Sequence, residues 1–153
     1  MTQNHSDIRT RFIFDDMPIR GMHIRLEKVW HHIVNQKHYP VAIRRALGEL
    51  LAAGSLLSAN LKNEGTLIVQ VQGQGRLKML VVEATSENTV RATARWDETA
   101  EIRDDESLTA LLGENSVFVL THQPKDADPW QGVVPLEGDS IAQMLVNYMK
   151  RSE

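Results

Sequence analysis

Glu137 and Asp139 place two carboxylates two residues apart, and with His122 they form a set able to exchange protons if a cleft gathers them. The local context gives Asp139 a simpler role, because a carboxylate at a turn leading into a helix complements the helix dipole. His31, His32 and His38 are the nearest approach to a metal set, yet adjacent helical residues point in different directions, and no HExxH pattern or cysteine accompanies them. Surface or boundary histidines are expected. The Gly73-Gln74-Gly75 triplet resembles a phosphate loop only superficially, since neither a Lys-Ser/Thr pair nor a helix start follows it, and it reads as a hairpin turn. Ser55, Ser58 and Ser140 lie in helix or capping contexts without a GxSxG elbow. The pattern predicts no catalytic residue and no metal ligand.

The elements that would hold these groups are readable from periodicity. Trp130 to Leu136 has strand composition, Gly138 and Asp139 supply a turn, and Ser140 with Gln143 fits a capping box. Ile141, Met144, Leu145, Tyr148 and Met149 then form an apolar helical stripe that needs a partner surface. Ile8 to Phe14 and Ile19 to Arg25 read as a hairpin around Asp15, Asp16 and Pro18, and helical spacing follows from about Leu26 to Lys37. Val41 to Leu61 reads as a long Ala-rich buried helix, in which Gly48 and Gly54 each cost ~1 kcal/mol relative to Ala and therefore imply close packing or a bend.

Leu67 to Gln72 and Leu77 to Glu83 flank the glycine turn as a second hairpin. Val90 to Trp96 alternates as a strand with one wet face, Ser107 to Leu112 reads as a short helix ending at Gly113, and Val117 to Thr121 as a strand covered on both faces. The predicted fold class is α+β: mostly antiparallel sheet packed with the long Ala-rich helix and the C-terminal amphipathic helix.

Composition narrows the function classes. The 153 residues are 42% hydrophobic and 24% charged, as in a single soluble domain. No apolar run approaches the roughly 20 residues of a membrane span, and MTQNHSDIRTRF has no signal-peptide core, so a cytoplasmic location is expected. A net charge of -3 gives no electrostatic reason to expect nucleic acid or anionic membrane as partner. The basic residues Arg9, Arg11, Arg20 and Arg25 and the acidic run from Asp97 to Glu106 read as solvated faces and loops.

Several segments together resemble one family. The C-terminal unit WQGVVPLEGDSIAQMLVNYMKRSE, the stretch HYPVAIRRALGELLAAGSLLSANLKNEG from His38 to Gly65, LIVQVQGQGRLKMLVVEA from Leu67 to Ala84, IRGMHIRLE near the start and VRATARW from Val90 to Trp96 occur in the order of the 33 kDa chaperonin family, the redox-regulated bacterial heat-shock holdases. The similarity runs along nearly the whole chain. It implies an ATP-independent chaperone that captures unfolded or misfolded proteins, and it places residues 1–153 as an N-terminal substrate-binding core domain. The family's redox control resides in a C-terminal module where four cysteines hold zinc. This chain has no cysteine and stops at Glu153 before that module and its linker, so a truncated domain without zinc or other cofactor is expected.

A holdase works through apolar area rather than reactive groups. In the central hairpin Leu67, Val69, Val71, Met79 and Val81 are expected on the inner face and Ile68, Leu80 and Val82 on the other, beneath a second layer of helices. If a missing segment supplied that cover, Ile68, Leu80 and Val82 would become client-binding residues. Exposed sheet edges further predict a homodimer or larger assembly. The alternatives are a small-ligand-binding or enzymatic α+β domain with a cleft at Glu137, Asp139 and His122, and a bare scaffold.

Overall fold

The computed structural model describes residues 6–152; residues 1–5, which begin the segment read for a signal peptide, and residue 153 lie outside them. The described chain contains seven strands and four helices: β1 (Asp7–Ile13), β2 (Arg20–Leu26), α1 (Lys28–Gln36), α2 (Val41–Ser58), β3 (Gly65–Gln72), β4 (Leu77–Thr85), β5 (Val90–Trp96), α3 (Leu108–Leu112), β6 (Val117–Pro124), β7 (Trp130–Pro135) and α4 (Ile141–Arg151). β1 and β2 form a separate two-stranded sheet, while the other strands form an antiparallel sheet in the order β5-β4-β3-β6-β7. The α+β expectation holds.

All four helices contribute to one core: α2, α3 and α4 on one face of the larger sheet, and α1 through Ile33 at its β5 margin. Ile43, Leu47, Leu50 and Leu51 of α2 meet Leu67, Val69, Val71, Leu80, Val82, Ala92 and Ala94, while Ile141, Met144 and Tyr148 of α4 join Phe118. The Phe118 and Tyr148 rings lie 5.3 Å apart. Each glycine of α2 has the packing reason its cost requires: a Cβ at Gly54 would lie 2.8 Å from Val82 Cγ1, and one at Gly48 would lie 3.1 Å from Trp30 Cη2.

The sheet register corrects the expected facing of the central hairpin. Val69 pairs with Val82 and Val71 with Leu80, which puts Leu80 and Val82 under α2 with 0% exposure. Ile68 pairs with Glu83, and Gln70 with Val81, so Ile68, Val81 and Met79 share the opposite face. Alternation within each strand does not state the phase between strands; the turn does, and the GQG connection pairs even positions of β3 with odd positions of β4. No second helical layer covers that face among the described residues. Gln70, Gln72, Glu83, Arg91, Thr93 and Arg95 make it wet enough to do without one. The outer cover expected for β6 accordingly comes from neighbouring side chains around Val119, which is buried between Gln70 and Val133.

Caps and ion pairs fix the periphery. Ser140 Oγ accepts the Gln143 N–H at 3.1 Å, but the Gln143 side chain donates to Asn147 Oδ1 at 3.2 Å, so only half of the capping box forms. α1 has no cap from its own N-cap residue; the Asp7 carboxylate in β1 accepts the N–H groups of Glu27 (2.7 Å), Lys28 (3.0 Å) and Val29 (3.2 Å) instead. The acidic loop after β5 is not simply solvated. Arg76 donates to Glu106 Oε1 at 2.7 Å and to the Glu101 carbonyl at 2.9 Å, and its hydrogen bond holds the Glu106 carboxyl below the ordinary carboxylate range.

Candidate functional site

The three residues of the acid–base alternative do not converge. His122 pairs with Trp130 at one end of the β6–β7 ladder, and the chain then runs extended through Pro135 before reaching Glu137, a span of roughly 20 Å at strand rise. Glu137 forms an ion pair with Arg151, and Asp139 accepts from Thr109 Oγ1 at 3.1 Å. The two clefts beside Asp139, of about 910 and 200 Å3, are lined by neither Glu137 nor His122. His31, His32 and His38 are exposed on and after α1, and His32 Nε2 lies 2.9 Å from Gln36 Nε2.

Apolar surface is where the molecule departs from an ordinary exterior. The β1–β2 hairpin carries Phe12, Ile13 and Phe14 on one side of its turn and Met17 and Ile19 on the other, all exposed, with Ile13 at 76%. Phe12 and Phe14 meet edge to face with centroids 5.9 Å apart, and the Phe12 ring covers Gly21, the residue opposite it in register. A turn is normally polar, so an apolar cluster around one needs a reason outside the fold. Sequence reasoning recognised the two strands but not this cluster; the signal was FIFDDMPI, in which the turn residues are flanked by large apolar side chains.

The base of this hairpin is fastened down. Arg11 donates to the Ala59 carbonyl at 2.8 Å and Arg9 to the Ser55 carbonyl at 3.4 Å, which satisfies acceptors in the last turn of α2 where cations also suit the dipole. Arg9 reaches Asn88 Oδ1 at 2.8 Å as well. Arg9 and Arg11, two of the four arginines read as solvated, therefore orient the hairpin, while its tip extends into solvent.

The second apolar area is the sheet face opposite α2. Ile68, Met79, Val81, Val117, Val119, Val133 and Pro135 share it with Gln, Thr, Arg and Glu side chains, and α1 reaches only its β5 margin. There His32, Ile33 and Gln36 share a cleft of about 430 Å3 with Val81, Glu83, Arg91 and Thr93. Of the three candidates Ile68, Leu80 and Val82, the structure leaves only Ile68 on this accessible side.

Comparison with known proteins places this architecture. The family model described as Hsp33 protein matches residues 7–153. The chain belongs to the Hsp33 family. The 33 kDa chaperonin of Neisseria meningitidis serogroup A is 83% identical to it over 98% of the chain and 50% of that relative, and the 33 kDa chaperonin of Chromobacterium violaceum is 49% identical over 100% of the chain and 52% of that relative. A crystal structure of the 33 kDa chaperonin from Thermotoga maritima shares the fold, with a TM-score of 0.81 at 22% identity, over 95% of this chain and 50% of that one. The chain thus spans about half the length of the curated Hsp33 relatives it matches. The family match covers both the exposed hairpin and the helix-backed sheet.

Proposed function

We propose that this chain is the substrate-binding portion of an ATP-independent holdase that captures unfolding proteins and keeps them from aggregating. The observation that carries the reading is the exposed cluster of Phe12, Ile13, Phe14, Met17 and Ile19 at the end of an anchored hairpin. Membership of a family whose relatives are named chaperonins supports it. Ile68 and its neighbours on the open sheet face extend the same capture surface. Leu80 and Val82, sealed beneath α2, take no part.

Magnitudes fit a reversible binder. Burying one large apolar side chain completely is worth about 1.5–3 kcal/mol, so five residues near half exposure still offer roughly 4–7 kcal/mol. That corresponds to dissociation constants from about millimolar to about ten micromolar, before ordering costs. Such affinity is strong enough to intercept a sticky intermediate and weak enough to release a refolding one. No nucleotide, metal or cofactor enters the mechanism, and the partner is any non-native chain with exposed apolar side chains. The open edges of the sheet support self-association as part of the same reading.

Light scattering from a thermally unfolding client, without nucleotide or oxidant, tests the proposal. Dose-dependent suppression that is lost in Ile13→Asp supports it. No suppression at stoichiometric excess leaves the chain a folded scaffold and removes the holdase reading.

A further inference from the structure

The side of the β1–β2 hairpin that faces the helices is divided lengthwise. Asp7, Arg9 and Arg11 of β1 pair with Leu26, Ile24 and Met22 of β2, so these six side chains share one side of the two-stranded sheet. The charged row lies along one edge and the apolar row along the other. Asp7 meets the start of α1, and Arg9 and Arg11 meet carbonyls at the end of α2, which fixes this side as the inward one.

The two rows are seated differently. The charged row is hydrogen-bonded to both helices, whereas Met22, Ile24 and Leu26 are only half-buried, and of the hairpin's side chains Leu26 alone packs against the core cluster. Two clefts lie under the apolar row. In one, of about 320 Å3, Ile24 and Leu26 stand over Trp30 and Leu51; in the other, of about 620 Å3, they stand over Val29 and Ser55. Gaps of that size are foreign to a close-packed interior, so the arginine contacts carry much of the seating. The covalent tie is equally narrow. β2 ends at Leu26 and α1 begins at Lys28, so among the described residues Glu27 alone joins the hairpin to the rest. The Asp7 carboxylate, bonded to the Glu27, Lys28 and Val29 N–H groups, sits at this joint, and Arg9 and Arg11 lie successively farther from it.

We propose that the hairpin is a hinged clamp. It pivots at Glu27 with Asp7 as its post, opens when Arg9 and Arg11 leave the end of α2, and admits apolar side chains of a non-native chain between Met22, Ile24 and Leu26 on one jaw and Trp30 and Leu51 on the other. Opening leaves the β1–β2 ladder and the five-stranded sheet intact. The bonds it breaks lie at the water-accessible surface, where solvent replaces them, so the open form belongs to the low-energy end of local motions. The inference rests on the holdase reading and deepens it, adding an inward apolar row to the exposed tip as a place where a client is held.

Absence of cysteine lets a single introduced thiol report the motion. Ser55→Cys puts a near-isosteric thiol at a 4%-exposed position under Arg9, and Ala94→Cys puts one at a 2%-exposed position in the sheet core as a reference. An aromatic disulfide reagent is expected to label Ser55→Cys faster than Ala94→Cys. Adding Arg11→Met, which keeps the apolar stem but loses the hydrogen bond to Ala59, should raise the Ser55→Cys rate about ten-fold and leave the Ala94→Cys rate unchanged. A Ser55→Cys rate unaffected by Arg11→Met, or rates at both sites that rise together, overturns the hinge. For capture, Ile24→Cys combined with Ala52→Cys, which line the smaller cleft, can be joined by a short bis-maleimide. The joined protein is expected to show a several-fold loss in suppression of client aggregation relative to the same variant capped with N-ethylmaleimide. Equal suppression by the joined and capped forms overturns the clamp. An unaltered chain that suppresses nothing, while Arg11→Met still speeds labelling of Ser55→Cys, removes the holdase reading and leaves the hinge.

Discussion

Gly54 brings the backbone of α2 so close to the sheet that a single added methyl would lie 2.8 Å from Val82 Cγ1. Gly54→Ala adds about 1 kcal/mol of helix propensity but forces overpacking that costs about 1–3 kcal/mol. Net destabilisation of up to about 2 kcal/mol is expected in urea unfolding. At Gly48 the obstacle is the far edge of the Trp30 ring at 3.1 Å, and the same substitution should stay within about 1 kcal/mol of neutral.

Core and proposed capture surface should separate by mutation. Leu80→Ala empties a fully buried site and should cost about 2–5 kcal/mol of stability. Ile13→Ser, at an exposed position, should change stability by less than about 0.5 kcal/mol while reducing suppression of client aggregation. Urea midpoints paired with light scattering check both. A loss of stability in Ile13→Ser matching that of Leu80→Ala would contradict the assignment.

Asp7 caps α1 from another element, so its removal should act on both. Asp7→Ala is expected to cost about 1 kcal/mol and to speed amide exchange at Glu27, Lys28 and Val29. Asp7→Asn, which keeps an acceptor, should recover most of the loss. Hydrogen exchange read at those three amides decides the matter.

Acid should weaken the molecule partly through Glu106. Its folded-state carboxyl is held low by the hydrogen bond from Arg76, so the unfolded state binds the proton first as pH falls. The contribution is full above the unfolded carboxylate range and disappears as pH drops through the lower folded value. Glu106→Gln should therefore flatten the acidic limb of a stability-against-pH curve by at most about one proton. An unchanged slope would remove Glu106 from the account.

Peroxide should bring no gain in holdase activity, because this chain has no thiol to oxidise. Oxidation of the exposed Met17 would instead make the hairpin tip more polar. Client light scattering before and after peroxide checks the sign, and an oxidant-dependent increase would refute it.

What the sequence made legible follows from local physics. Strand and helix periods placed every element, Ser107 and Ser140 marked helix starts, and the glycines of α2 announced close packing before its partner was known. Long-range phase was not legible. The pairing of Val69 with Val82 depends on how the GQG turn sets register, and it moved Leu80 and Val82 from the supposed capture surface into the core. The contacts of Asp7 with α1 and of Arg11 with α2 join residues distant in sequence, and no local pattern encodes them. The hairpin tip was legible in principle, since its composition contradicts the turn it surrounds.

The apolar residues of that tip contribute little to the core, and the side chains that hold the fold are absent from the tip. Substitution at the tip can thus change the apolar surface it presents, residue by residue, without endangering the scaffold that carries it.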